Sequence, residues 1–154
     1  MVWIAVMVGG GKYGLSRDDG KRPDGATIIP FSKGKCLVWD VTCVNTLAAS
    51  HIKSAASQAG APSEAAEAKK HKKYASLSDQ YNFTPVALET LGSWGPEAST
   101  FVSEVGRRLA VATGEPRATS FLRQKIGIAV QRGNAVCIRQ SLPNGTGLNE
   151  LFYI

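Results

Sequence analysis

The pattern of hydrophobic and polar positions predicts two adjacent strands in the first third of the chain. Apolar residues dominate 26-ATIIPF-31 and 36-CLVWDVTCV-44, and the polar run 32-SKGK-35 between them supplies a glycine for a turn. Along the second segment the side chains alternate between two faces, and both faces are mostly apolar. We therefore expect a hairpin whose second strand is central and covered on both sides.

After residue 45 the pattern becomes helical and is interrupted near 60-GAPSE-64, where a proline and a serine favour a new helix start. The segment 83-FTPVALETLG-92 is a third strand candidate. Two further helices are expected, one from Pro96 to Gly114 and one from Pro116 onward. The last helix is predicted to turn one set of apolar side chains inward: Phe121, Leu122, Ile126, Ala129 and Val130.

Charge adds a candidate partner to this picture. The 154 residues fit one domain, and 18 lysines and arginines against 12 acidic residues give a formal net charge of +6. This excess favours an anionic partner, with nucleic acid ahead of a membrane surface because no strongly apolar amphipathic face accompanies the lysine cluster. A solvated basic surface is the alternative. The candidate nucleic-acid-binding residues are Lys69, Lys72, Arg107, Arg108, Arg123, Lys125 and Arg132.

The cysteines and the first residues of the chain indicate where in or outside the cell the protein is expected. Three cysteines and two histidines show no paired spacing typical of a zinc site, which favours reduced thiols inside a cell. The apolar start 1-MVWIAVMV-8 is too short to span a membrane and lacks the basic flank of a signal peptide. We expect a nuclear or otherwise intracellular protein that is not secreted. Residues 1–13 form an uncertain or non-native start, 14–142 a single domain and 143–154 a tail.

Asp40 is the least expected residue, because a carboxylate within an apolar strand is costly to bury unless it is paired or binds a metal. Asp24, in a Pro-Asp turn that leads into the preceding strand, is positioned to converge on it. Two carboxylates at one point suit Mg²⁺ or Mn²⁺, which polarises a phosphodiester and activates water. A structural interpretation remains open, in which Asp24 serves its turn and Asp40 binds Thr42 or an arginine.

A lysine beside the two carboxylates would stabilise charge on a phosphate. The helix after the central strand supplies several, and Lys70, Tyr74 and Leu77 fall along one stripe of it. Either Lys70 or Lys73 could act, and the shared stripe favours Lys70 slightly. The lysine run is equally compatible with a solvated surface.

Three motifs follow one another along the chain and together resemble a known family. They are R-P-D (22–24), D-V-T (40–42) after a further fifteen residues, and K-x-x-K-Y-x-x-L (70–77). It is similar to the restriction-enzyme-like endonuclease domain that follows the reverse transcriptase in non-LTR retrotransposon proteins. That domain belongs to the PD-(D/E)-x-K nuclease superfamily. The resemblance runs from about residue 14 to about residue 140, and 83-FTPVALETLGSWGPEA-98 also looks like this group.

The resemblance implies an α/β fold with a small mixed β-sheet flanked by helices. It also implies that Asp24 and Asp40 bind Mg²⁺ or Mn²⁺, and that Lys70 or Lys73 acts beside Tyr74, with no other small-molecule cofactor. Two departures accompany it: Thr42 stands where the superfamily usually has its lysine, and no complete first helix precedes Arg17. The sequence thus predicts a metal-dependent DNA endonuclease domain from a retrotransposon protein with a truncated beginning. The alternatives are a non-catalytic nucleic-acid-binding remnant and a domain whose aspartates are purely structural.

Overall fold

The computed structural model describes residues 22–141, and the expected start at 1–13 and tail at 143–154 lie outside that range. In the described part, three strands and four helices form a small mixed α/β fold, as the sequence predicts. The elements in chain order are β1 (Gly25–Ala26), β2 (Leu37–Val44), α1 (Ile52–Ser57), α2 (Ala61–Lys73), a 3₁₀ turn (Ala75–Leu77), β3 (Asn82–Glu89), α3 (Pro96–Thr113) and α4 (Ala118–Ser141).

The three strands form one mixed sheet in the order β1-β2-β3. β1 pairs antiparallel with two residues of β2, Val38 and Trp39, whereas β3 pairs in parallel with all of β2. The helical connection between β2 and β3 is what a parallel pair requires. In this register Asp40 lies beside Pro85 and Val44 beside Glu89, so the even-numbered residues of β2 share a face with the odd-numbered residues of β3.

Two predictions about the first strands are wrong in part. The strand expected over 26–31 ends at Ala26, because the chain bends after it and the Thr27 hydroxyl donates a hydrogen bond to the carbonyl of Ile29 at 2.8 Å. The expected turn at 32–35 is present, with Gly34 in the left-handed region at φ 71°. Coverage of β2 on both sides holds only for its first half, since Val41 is 46 % exposed.

The core of the sheet region divides between the two faces of β2. Leu37 and Trp39 pack with Val86 and Ala98 on one face. On the other face Val38 packs with Tyr74 and Leu77. Burial of apolar side chains on both sides fixes the register of β2, because a slip by one residue would exchange its two faces.

The chain divides into two compact units, one ending at Val105 and the other beginning at Gly106. In the second unit Gly106 of α3 lies so close to Thr119 of α4 that a Cβ at residue 106 would overlap it. None of the side chains of α4 is buried, and Phe121 and Ala129 are exposed, which contradicts the predicted inward orientation of both. A helix buries only the side that faces a neighbouring element, and among the described residues of this unit that neighbour is the end of α3.

Within residues 22–141, no helix is both long and apolar enough to span a membrane.

Candidate functional site

Asp40 lies in the buried half of β2, on the face that α2 covers. Its residue is only 4 % exposed, and the two residues that precede it on the strand, Val38 and Trp39, belong to the core. The β-strand alternation that places Val38 against Tyr74 therefore carries the Asp40 carboxylate into the same layer. A carboxylate in such a place requires polar partners.

Helix α2 supplies those partners. It begins after Gly60, whose φ of 87° favours glycine, and Pro62 lies in its first turn. Lys70 and Tyr74, one helical turn apart, reach the same carboxylate. The Lys70 ammonium donates to Asp40 Oδ2, and the Tyr74 hydroxyl donates to Asp40 Oδ1 at 3.1 Å. The structure thus brings together three of the predicted site residues.

Asp24 approaches the same region through the backbone of β2. Its N–H donates to the carbonyl of Trp39 at 3.1 Å, and its Oδ2 accepts the N–H of Val41 at 2.6 Å. The Asp24 carboxylate therefore lies against the peptide group that joins Asp40 to Val41. Unlike Asp40, Asp24 is exposed. It precedes the two residues of β1 that pair with β2.

Lys73, the alternative to Lys70, takes a different position. Its Nζ lies over the Tyr74 ring, 4.7 Å from the centroid, a geometry that stabilises the cation. Contact with the Tyr74 side chain raises the pKa of Lys73, and the negative charges of Asp40 and Asp24 raise it further. Lys73 thus stays charged at neutral pH next to the site, while Lys70 makes the direct contact with Asp40.

Asp24 and Asp40 are the carboxylates in this region that could hold a magnesium or manganese ion, with water and substrate as its other ligands. Residues 22–141 contain no group of three or more His, Cys, Asp and Glu side chains that could hold a metal. Mg²⁺, however, is commonly bound by one or two carboxylates together with waters and phosphate oxygens. A carboxylate has about four lone-pair sites, so the hydrogen bonds from Lys70 and Tyr74 leave acceptor capacity on Asp40.

The basic residues predicted to bind nucleic acid lie in both compact units. Lys69 and Lys72 are exposed on α2, the helix that also carries Lys70. The others belong to the second unit, in which Arg107, Lys125 and Arg132 are exposed and Arg108 and Arg123 are partly buried.

Sequence reasoning missed two buried carboxylates. Glu89, 1 % exposed at the end of β3, accepts a hydrogen bond from the Ser63 hydroxyl at 3.1 Å. Glu67, 2 % exposed on α2, accepts the N–H groups of Glu97 and Ala98 at the start of α3. An acidic residue at the end of the apolar run 85–89 is a signal of the same kind as Asp40 and could have revealed Glu89. Glu67 gave no such signal, because an acidic residue in the first turns of a helix is ordinary.

No protein-family model matches the chain, and no curated protein or solved structure does so either. Its function therefore has to be argued from the geometry of Asp24, Asp40, Lys70 and Tyr74.

Proposed function

We propose that this chain contains a metal-dependent DNA endonuclease domain that hydrolyses phosphodiesters, derived from a retrotransposon protein and built on a restriction-endonuclease-like core. The observation that carries the proposal is the buried Asp40 carboxylate, which holds the Lys70 ammonium and the Tyr74 hydroxyl while Asp24 lies against the next peptide group. Two partners also satisfy a purely structural aspartate, so the number of partners does not indicate a ligand site. Here the partners include a cation that is itself still 23 % exposed and able to reach a ligand.

In this proposal Asp24 and Asp40 would hold Mg²⁺ or Mn²⁺, which supplies a Lewis acid for the phosphate and lowers the pKa of a bound water. Lys70 contributes a positive charge where the phosphate gains negative charge during hydrolysis. Tyr74 orients the Asp40 carboxylate through its hydroxyl, whose single proton is shared between Asp40 Oδ1 at 3.1 Å and the carbonyl of Arg22 at 3.0 Å. Lys73 adds to the positive potential without touching Asp40.

DNA is the substrate and partner that the charge distribution favours. Lys69 and Lys72 are exposed on the helix that also carries Lys70, so a phosphate backbone drawn to them would pass near the site. Contacts of this kind give an affinity that falls steeply with salt and carries little sequence information. A domain that acts on DNA in this way would work in the nucleus or elsewhere inside the cell.

Nicking of supercoiled plasmid by the purified chain tests the proposal. We expect nicking with Mg²⁺ or Mn²⁺ that EDTA abolishes and that Asp40→Asn reduces by at least about 100-fold, since even residues that only support metal ligands are worth about 10- to 100-fold. Asp79→Asn removes an exposed carboxylate and is the matched control. Equal nicking by wild type and Asp40→Asn would contradict the proposed site.

A second candidate, a DNA-binding domain without catalysis, is favoured by one observation. Both oxygens of Asp40 already have protein partners, and Lys70 neutralises the charge that would attract a cation. Under this alternative the chain binds duplex DNA with a strong salt dependence, and neither Mg²⁺ nor Mn²⁺ changes its melting temperature or produces nicks. A metal-induced rise in melting temperature that Asp40→Asn removes would exclude it.

A further inference from the structure

The hydroxyl of Thr42 stands out among the polar side chains of residues 22–141. Its Oγ1 is buried and is the one buried side-chain oxygen or nitrogen in this part of the chain without a hydrogen-bond partner. Native proteins leave few such groups, because a hydroxyl buried without a partner has lost its hydrogen bonds to water and gained none in exchange. A valine would have the same shape without that cost.

Two other threonines show what this fold normally does with a buried hydroxyl. Thr27, 8 % exposed, donates to the carbonyl of Ile29 and accepts the N–H of Leu37 at 2.9 Å. Thr46, 6 % exposed, is within hydrogen-bonding distance of the Thr90 hydroxyl and the Leu91 N–H. Both hydroxyls have structural partners on neighbouring segments, so the lack of a partner at Thr42 is particular to that position.

Thr42 belongs to the candidate site by its place on β2. It follows Asp40 by two residues on the same face, which corresponds to a Cα separation of about 6.6 Å along a strand. Its neighbour on β3 is Ala87, which offers no polar side chain. Val41 and Cys43 on either side are exposed because β1 pairs only as far as Trp39.

The partial exposure of Thr42 gives a ligand a route to its hydroxyl. Thr42 as a whole is only partly buried although its Oγ1 is covered. Rotation about χ1 between staggered rotamers moves a threonine hydroxyl to the position that its methyl group or its Cβ hydrogen occupied. The hydroxyl can therefore turn outward without a movement of the strand.

We propose that the Thr42 hydroxyl is a substrate-binding group that donates a hydrogen bond to a non-bridging phosphate oxygen of the DNA strand in the site. The inference rests on the proposed function and adds a residue to it. Asp24 and Asp40 can only accept hydrogen bonds when ionised, so a phosphate beside them needs donors. Lys70 supplies a charged donor, and Thr42 supplies a neutral one at the next position on the same face.

Unfolding experiments test the first half of this inference. We expect Thr42→Val to melt at the same temperature as wild type or higher, because it removes a hydroxyl that has no partner in the folded protein. The matched control, Thr27→Val, makes the same substitution at a buried hydroxyl with two partners and should melt lower. If Thr42→Val loses as much stability as Thr27→Val, the hydroxyl has a structural partner and the inference is wrong.

DNA binding tests the second half, with a fluorescent duplex measured by anisotropy in Mg²⁺ and in EDTA. We expect Thr42→Val to bind the duplex about 10-fold more weakly or worse, since a hydrogen bond to a charged group is worth about 1.5–3 kcal/mol and 1.4 kcal/mol is tenfold. Thr42→Ser keeps the hydroxyl and should retain most of the affinity. Equal affinities of wild type and Thr42→Val would overturn the role of Thr42 alone.

The two proposals fail in distinguishable ways. A wild-type chain that neither nicks plasmid nor binds the duplex would remove the proposed function, and the role of Thr42 with it, whatever the melting temperatures are. A second outcome is that Asp40→Asn abolishes nicking while Thr42→Val changes neither nicking nor the affinity for the duplex. The proposed function would then stand, and only the inference about Thr42 would be wrong.

Discussion

Asp40 and Glu67 are both almost fully buried carboxylates, yet their partners differ in kind. Glu67 accepts two backbone N–H groups, from Glu97 at 3.1 Å and Ala98 at 2.9 Å, and so caps the start of α3. Asp40 is held by the side chains of Lys70 and Tyr74. Backbone donors at a helix start are fixed by the helix itself, whereas an ammonium on a four-carbon stem can move away.

This difference separates a structural carboxylate from one that can serve a ligand. The close packing around Glu67 also indicates a structural carboxylate, because a Cβ added at Gly95 would overlap it. Glu67 therefore has no room for another ligand, and its two donors belong to the fold. Around Asp40, by contrast, the cation that holds the carboxylate is partly exposed. We expect changes at Glu67 to alter stability and changes around Asp40 to alter activity.

The largest expected effect is on the contact between Lys70 and Asp40. Lys70→Gln should lower nicking by about 100- to 1,000-fold, the range measured when one group that stabilises transition-state charge is removed. Lys73→Gln, three residues along the same helix, removes a charge that lies over the Tyr74 ring and should lower nicking far less. Nicking rates of the two variants at matched fold content, checked by circular dichroism, decide which lysine acts. A larger loss in Lys73→Gln would reverse the assignment.

Glu67→Ala should have the next largest effect, on stability. It leaves the N–H groups of Glu97 and Ala98 without their acceptor at the start of α3 and should lower the free energy of unfolding by about 2–3 kcal/mol. Glu64→Ala removes an exposed glutamate from the same helix and should cost little. Urea unfolding of the three proteins measures this. If Glu67→Ala abolished nicking while the chain remained folded, the distinction between the two carboxylates would not hold.

The position of Asp40 could be predicted from the sequence, because strand alternation and helical spacing are local rules. Its apolar neighbours predicted burial, and the four-residue step from Lys70 to Tyr74 predicted that both lie on one side of the helix. The succession of strands and helices followed from the same periodicities. These are the properties that neighbouring residues determine by themselves, whereas the small mixed sheet was implied by the family resemblance.

Other features depended on contacts between distant segments. The strand expected over 26–31 has the right composition, but a hydrogen bond from Thr27 to Ile29 bends the chain there and Ile28 is 83 % exposed. The contact of Glu67 with α3 joins residues thirty positions apart. Whether a hydroxyl such as that of Thr42 finds a partner depends on everything packed around it, and a single sequence gives no signal of this.

A smaller effect is expected from Tyr74→Phe, which tests whether Asp40 needs to be oriented. The change removes a hydroxyl that donates to Asp40 and lies 3.0 Å from the carbonyl of Arg22. We expect a loss of about 1 kcal/mol in the free energy of unfolding and a fall in nicking beyond what the lost stability explains. Tyr81→Phe, a partly buried tyrosine beyond the same helix, is the control. Unchanged nicking would mean that Lys70 alone positions the carboxylate.

The smallest expected effect is a pH dependence of stability that arises from Glu67. Burial raises the pKa of Glu67 above its ordinary value of 4.5, and the charge of Glu97 raises it further. The backbone N–H donors lower this pKa, because they favour the carboxylate, but they do not offset the rise. The folded state therefore holds the proton more tightly than the unfolded state. The stability that results is fully present below pH 4.5 and is lost as the pH rises through the raised pKa.

Melting temperatures of wild type and Glu67→Ala, measured in steps from pH 4 to pH 7, check this sign. The advantage of wild type should be largest at the acid end and should shrink toward neutrality. The Nε2 of His71 lies 2.7 Å from Glu97 Oε1, so the comparison should be repeated in His71→Gln, which lacks this neighbouring imidazole. An advantage that grew with pH in both backgrounds would mean that the backbone donors outweigh burial at Glu67. The carboxylate would then be stabilised in its ionised form by the start of α3, and the contrast with Asp40 would rest on the mobility of the partners alone.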